Sequence, residues 1–139
     1  MSEWTSVKGF IEIKKYNTAR ESTDKLKNII GKIQNYNSKD YNPKDTKIPC
    51  GSEGSLNYVI NQPLKLNSFI WAYITIFGNL RDFDIKDFNT IKYWLNCIKD
   101  GVLNDEKYIG DVLLEINFPT ETYLVQYDKE SEEFIYSIL

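Results

Sequence analysis

Apolar positions are densest at Phe69-Ile70-Trp71-Ala72-Tyr73-Ile74-Thr75-Ile76-Phe77. Strand side chains alternate between two faces. The stretch therefore predicts a central strand with Ile70, Ala72, Ile74 and Ile76 on one side and Phe69, Trp71, Tyr73, Thr75 and Phe77 on the other. A strand apolar on both sides is covered on both sides or offers one to a partner. A second alternation runs from Thr5 to Lys14, with Val7, Gly9, Ile11 and Ile13 on one face and Lys8, Phe10, Glu12 and Lys14 on the other. Gly9 inside it marks a bulge or a close backbone approach.

The period then changes to that of a helix. Thr18-Ala19-Arg20-Glu21 reads as a capping box. Leu26, Ile29, Ile30 and Ile33 follow at helical spacing, predicting a helix over 18–35 with Lys25, Lys27 and Lys32 outward. Asn35 to Pro49 is polar, holds two prolines and predicts a long exposed loop. Leu56 to Ile60 is a short strand ended by Asn61-Gln62-Pro63, and Gly78-Asn79 closes the central strand. Asp82 or Asp84 caps a second helix from Ile85 to Lys99, with Phe88, Ile91, Trp94, Leu95 and Ile98 as its apolar stripe and Gly101 at the C′ position. Three strands finish the chain: 112–118, 122–127 and 134–138.

This order predicts a single α+β domain over 1–139. The first six elements follow the ferredoxin-like β-α-β-β-α-β arrangement: an antiparallel sheet, both helices on one face, the first and third strands central. The extra C-terminal β-meander would widen the sheet or fold over its open face. Folding over would account for the aromatic side of 69–77.

Composition narrows the chemistry. The formal net charge is −3 over 139 residues. Duplex binders neutralise several phosphates with clustered Lys and Arg, so direct nucleic-acid binding is disfavoured. The chain has no His, which removes the commonest general base and metal ligand and every Ser-His or Cys-His pair. Cys50 and Cys97 are far apart and read as reduced thiols of a reducing compartment. No apolar run reaches the ~18 residues of a membrane span. The expected location is cytoplasmic, with no cofactor, no metal and no catalytic residue. Asp82, Asp84 and Asp87 read as a helix start before a metal site.

Two surfaces are candidates. Ten Tyr, seven Phe and three Trp exceed what the apolar stripes use, and Tyr36, Tyr41, Tyr58, Trp71 and Tyr108 are the expected partner-binding anchors, with the loops at 36–49 and 104–111 as the contact surface. The partner would be a protein with a basic surface. Phe10, Trp71 and Tyr73 also sit where an RNA-recognition sheet carries its stacking rings, although the plainer reading makes them core beneath the C-terminal strands. The second candidate is Gly51-Ser52-Glu53-Gly54, where two glycines allow amides to converge on an anion. That is the site of an alternative small-ligand or nucleotide-binding module.

Glu3-Trp4-Thr5-Ser6-Val7-Lys8-Gly9 at the start and Gly51-Ser52-Glu53-Gly54 before a strand resemble small accessory proteins of phages and mobile elements in low-GC Gram-positive bacteria. The resemblance implies a non-enzymatic inhibitor of a host defence or nucleic-acid-handling enzyme, anti-CRISPR-like or immunity-protein-like, acting in the host cytoplasm. It assigns no residue a role.

Overall fold

A computed structural model describes residues 3–16, 23–31, 48–66, 69–105 and 107–139. It is an α+β structure: one antiparallel sheet of six strands, a two-stranded hairpin and two helices. In chain order the elements are β1 (Trp4–Tyr16), α1 (Thr23–Ile30), β2 (Cys50–Gly51), β3 (Gly54–Ser55), β4 (Asn57–Leu66), β5 (Phe69–Arg81), α2 (Phe88–Asn104), β6 (Lys107–Asn117), β7 (Thr122–Asp128) and β8 (Glu133–Ile138). A short 3-10 turn at Ile85–Asp87 leads into α2. The main sheet runs β4-β5-β1-β6-β7-β8, and every neighbouring pair is antiparallel.

The alternation in the sequence decides which face is core. Ile11 pairs with Ile74, Ile13 with Ala72 and Gly9 with Ile76 across β1 and β5, while Gly9 pairs with Leu114 and Val7 with Ile116 across β1 and β6. Apart from Gly9, these apolar positions are buried, together with Leu26 and Ile30 of α1 and Ile91, Leu95 and Ile98 of α2. Polar groups of the core tie the helices to each other and to the sheet. The Trp94 indole donates to the Ile30 carbonyl at 2.8 Å, and the Tyr58 hydroxyl donates to the Gly31 carbonyl at 3.3 Å. Both serve the carbonyls left without partners at the end of α1. Under the start of α2 the rings of Phe88, Phe118, Tyr123 and Tyr136 meet at centroid distances between 4.7 and 6.0 Å.

Several boundaries differ from those read in the sequence. Asn61-Gln62-Pro63 does not end a strand: β4 passes through a register break between Asn61 and Leu64 and continues to Leu66. It is the outermost strand, where a proline lacking an N–H costs no ladder bond. Gly78 lies inside β5, which runs on to Arg81. Gly101 lies inside α2, with Asp105 as the cap; a Cβ there would meet Ile29 Cγ2 at 2.8 Å, so close helix packing accounts for the glycine. The segment 104–111 is not a loop: α2 runs to Asn104 and β6 begins at Lys107. The helix start is as expected: the Asp84 side chain accepts from the Lys86 amide and Asp87 from the Asp84 amide. The capping box at Thr18 and Glu21, with the loop residues Tyr36 and Tyr41, lies outside the described residues.

The last two strands add to the edge of the sheet beyond β6. They do not fold over its second face, because the register from Leu114↔Val125 to Asn117↔Thr122 continues the plane of the ladder.

Candidate functional site

With both helices on one face, the other face of the sheet is left uncovered by the described residues. Its side chains fall into rows perpendicular to the strands. Val59, Thr75, Phe10 and Leu113 are successive register partners across β4, β5, β1 and β6. The next row is Asn57, Phe77, Lys8, Glu115, Leu124 and Ser137. On the other side lie Asn61, Tyr73 and Glu12. Val59, Phe77, Leu113 and Ile135 keep 47%, 44%, 44% and 47% of their surface in solvent. Val59 and Leu113 end the row through Thr75 and Phe10, Ile135 stands apart on β8 opposite Gln126, and Phe10 and Tyr73 are in edge contact at 6.0 Å between centroids.

Polar groups close this face at both ends. At one end Asn117 donates to Ser6 Oγ at 3.2 Å and to Glu115 at 2.8 Å, and Thr122 donates to Asn117 at 2.7 Å. Lys8 and Glu115 approach to 4.0 Å.

The other end is built on Glu12, 4% exposed. A register shift between Ile11 and Ile13 places Glu12 against Gly110 and Asp111. Its carboxylate accepts from the Tyr73 hydroxyl at 2.9 Å and the Asp111 amide at 3.2 Å, with Lys14 Nζ at 3.4 Å. That hydrogen bond holds the Tyr73 phenol above its ordinary pKa, because the neighbouring carboxylate favours the protonated form. Gly110 is required by the same carboxylate, since a Cβ there would meet Glu12 Oε1 at 2.0 Å. Beside this end, where β6 and β7 part, a cavity of about 260 Å³ opens between Lys14, Tyr108, Gly110, Tyr127 and Lys129.

The expected anchors divide accordingly. Tyr108 is exposed on β6 and lines that cavity. Trp71 pairs with Lys14 and Leu64 in the register of β5. Tyr58 belongs to the core face, half-buried, its hydroxyl bonded to Gly31 and its pKa raised by burial. Tyr36 and Tyr41 lie outside the described residues. The expectation missed Phe77, Val59, Leu113 and Ile135. The signal for Phe77 was present in its two-residue spacing from Thr75 and Tyr73. Leu113 was hidden among apolar neighbours on both sides.

Gly51-Ser52-Glu53-Gly54 is the turn of the β2–β3 hairpin. The Ser52 amide is committed to the Arg81 carbonyl at 2.9 Å. Its hydroxyl donates to Asp82 at 2.6 Å, and Glu53 pairs with Arg81. Two carboxylates and the Arg81 guanidinium therefore stand beside the turn, and their net negative charge opposes an anion. Cys50 and Cys97 are not joined in a disulfide, and burial raises the Cys50 pKa, which disfavours the nucleophilic thiolate. Among the described residues no group of three or more His, Cys, Asp or Glu could hold a metal ion, and no helix is long and apolar enough to cross a membrane.

The fold and face define an α+β chain whose antiparallel sheet has an aromatic-bearing face that the described residues leave uncovered. Comparisons with family models, curated proteins and solved structures return no match.

Proposed function

We propose that this chain is a non-enzymatic protein-interaction module that docks through the open face of its sheet. The observation that carries the reading is the unbroken row Val59-Thr75-Phe10-Leu113 with Phe77 beside it. Val59 and Leu113, nearly half exposed, flank the less exposed Phe10 and Thr75 in register across four strands, and contiguous patches mark interaction surfaces more often than scattered residues. Burying the exposed half of each large side chain would contribute about 1 kcal/mol. Glu115 and Asp111 at the margins favour a partner with Lys or Arg around an apolar centre. The narrower form of the proposal is a phage or mobile-element inhibitor of a host enzyme, supported by the net charge of −3 and the resemblance of the N-terminal segment. The arrangement is further proposed to be ferredoxin-like with a C-terminal meander. In its favour, the first four long strands lie in the order β4-β5-β1-β6, that is, second, third, first, fourth.

A second reading has its own support. Phe10, Tyr73 and Phe77 lie on two adjacent strands of one open face, the placement with which sheet modules stack single-stranded bases. Glu12, Asp111 and Glu115 on the same face oppose it.

Immobilised chain should recover a protein from bacterial lysate. Phe10→Ala and Phe77→Ala should each weaken that capture about tenfold at unchanged stability, the loss of one interface anchor. Tyr93→Ala, a change on the exposed side of α2, should not. Equal losses for Tyr93→Ala and Phe77→Ala would remove the sheet face from the interaction. Retention of a single-stranded oligonucleotide pool, abolished by Phe77→Ala, would transfer the face to the second reading.

A further inference from the structure

The two edges of the sheet are built differently. β4 carries Pro63, Lys65 and a register break, all devices that keep an edge from pairing with another chain. β8, Glu133-Phe134-Ile135-Tyr136-Ser137-Ile138, has no proline, no lysine and an unbroken register with β7. Ile135, Ile138 and Leu139 on or beside it are 47%, 61% and 74% exposed.

Its hydrogen-bonding phase is fixed. Leu139 donates its amide to the Thr122 carbonyl at 2.9 Å, so by alternation Ser137, Ile135 and Glu133 also bond toward β7. Phe134, Tyr136 and Ile138 therefore turn their amides and carbonyls outward, and no strand among the described residues receives them.

We propose that β8 is a self-association edge, at which two copies pair antiparallel about a two-fold axis through Tyr136 and join their sheets into one. Three arguments choose this pairing. A parallel pair would set two acidic turns, Asp128, Glu130, Glu132 and Glu133, side by side. The antiparallel pair separates them by about the length of a six-residue strand, roughly 20 Å, beyond the screening length of physiological salt. Centring on Tyr136 places Tyr136 opposite its copy and Phe134 opposite Ile138, so all three outward residues exchange their bonds. Centring on Ile135 would leave Ile138 outside the ladder. A two-fold axis also makes each surface its own complement, as closed dimers require. The edge is smaller than a standard interface of about 1,600 Å², so the pair belongs to the weak, concentration-dependent class. Lys92 lies 5.0 Å from the Tyr136 centroid, which brings two ammonium groups toward the axis, so added salt tightens the pair.

Sedimentation velocity on the whole chain tests this. The expected result is a monomer–dimer equilibrium, tightened by salt. Ile138→Pro deletes an outward amide that β7 does not use. Ile138→Lys adds an edge charge and keeps the backbone, and it decides the matter if the proline variant fails to fold. Each should weaken dimerisation at least about tenfold, since the axis counts every lost bond twice. Phe77→Ala, on the open face, should leave it unchanged. A chain that stays monomeric up to about 1 mM overturns the proposal. So does a dimer whose constant neither Ile138 variant moves.

Discussion

Replacing Gly9 by alanine tests how tightly β1 and β6 are held together. Gly9 has φ +149, a conformation L side chains rarely adopt, and a Cβ there would stand 2.0 Å from the Leu113 carbonyl oxygen and 2.7 Å from Leu114 Cα. Both obstacles are backbone, so no side-chain rotation relieves them. Gly54 is the internal control: its φ is +142, and nothing lies within 4 Å of its added Cβ. Gly54→Ala therefore measures backbone strain alone, about 1–2 kcal/mol. Gly9→Ala adds the clash, which separates two central strands, loosens Val7, Ile11, Leu114 and Ile116, and breaks ladder bonds worth about 1 kcal/mol each. The expected total is about 4 kcal/mol or more, a large part of the roughly 7–20 kcal/mol available to a chain of this length. Gly101→Ala should cost less than Gly9→Ala, because its clash is with a side chain, Ile29 Cγ2 at 2.8 Å, and alanine gains about 1 kcal/mol of helix propensity. Urea unfolding at a common slope of about 2 kcal/mol/M should move the Gly9→Ala midpoint by about 2 M. A Gly9→Ala loss no larger than that of Gly54→Ala would refute the close approach.

Two further outcomes concern tyrosines. The Tyr136 hydroxyl is buried with no hydrogen-bond partner, so Tyr136→Phe should keep the Phe88 contact and raise stability by about 1 kcal/mol; a loss of that size in urea unfolding would mean the hydroxyl has a partner. Burial raises the pKa of Tyr58, Tyr127 and Tyr136, so above pH ~10 the native state binds more protons than the unfolded one and stability falls with rising pH. That stability is fully present below pH ~10 and is lost as pH climbs toward the raised values, so Tm should be flat to about pH 9.5 and drop beyond it, less steeply in Tyr136→Phe; a Tm that holds to pH 11 would contradict the burial.

Much of the fold was legible because the two periods are clean where one face is core. Val7, Ile11 and Ile13 alternate, Phe88 to Ile98 recur at helical spacing, and Asp84 with Asp87 marks the helix start. Gly9 was readable as a close approach. The failures share a cause, in that a residue type was read without its neighbour in space. Pro63 breaks an interior strand but not an edge one. Gly101 resembles a helix stop until Ile29 is found against it. Lys107 and Tyr108 gave 104–111 the look of a loop, yet Lys107 is buried beside Asp105 at 2.9 Å, and pairing with β1 carries the segment. Glu12 sat on the polar side of its alternation. Nothing in the sequence could show that a bulge turns it against the Asp111 amide.

The same limit applies to the open face. Two helices cover one side of a sheet, and the second side must be polar, covered or partnered. The alternation in β7 and β8 is compatible with a meander that covers the sheet and with one that extends it, since in both cases Val125 and Phe134 face a core. Register decides between them, and it sends the strands outward. On the second face of β5 Phe77 is therefore left exposed and Tyr73 partly so. If that face served only solubility, its apolar members would be interrupted by charges within each row. Charges do interrupt the flanking rows, Lys8 and Glu115 between Phe77 and Leu124 and Glu12 beside Tyr73, but the row between them holds Val59, Thr75, Phe10 and Leu113 without a charge. Under the proposed docking role, that uncharged row would be the apolar centre and the flanking charges its polar rim.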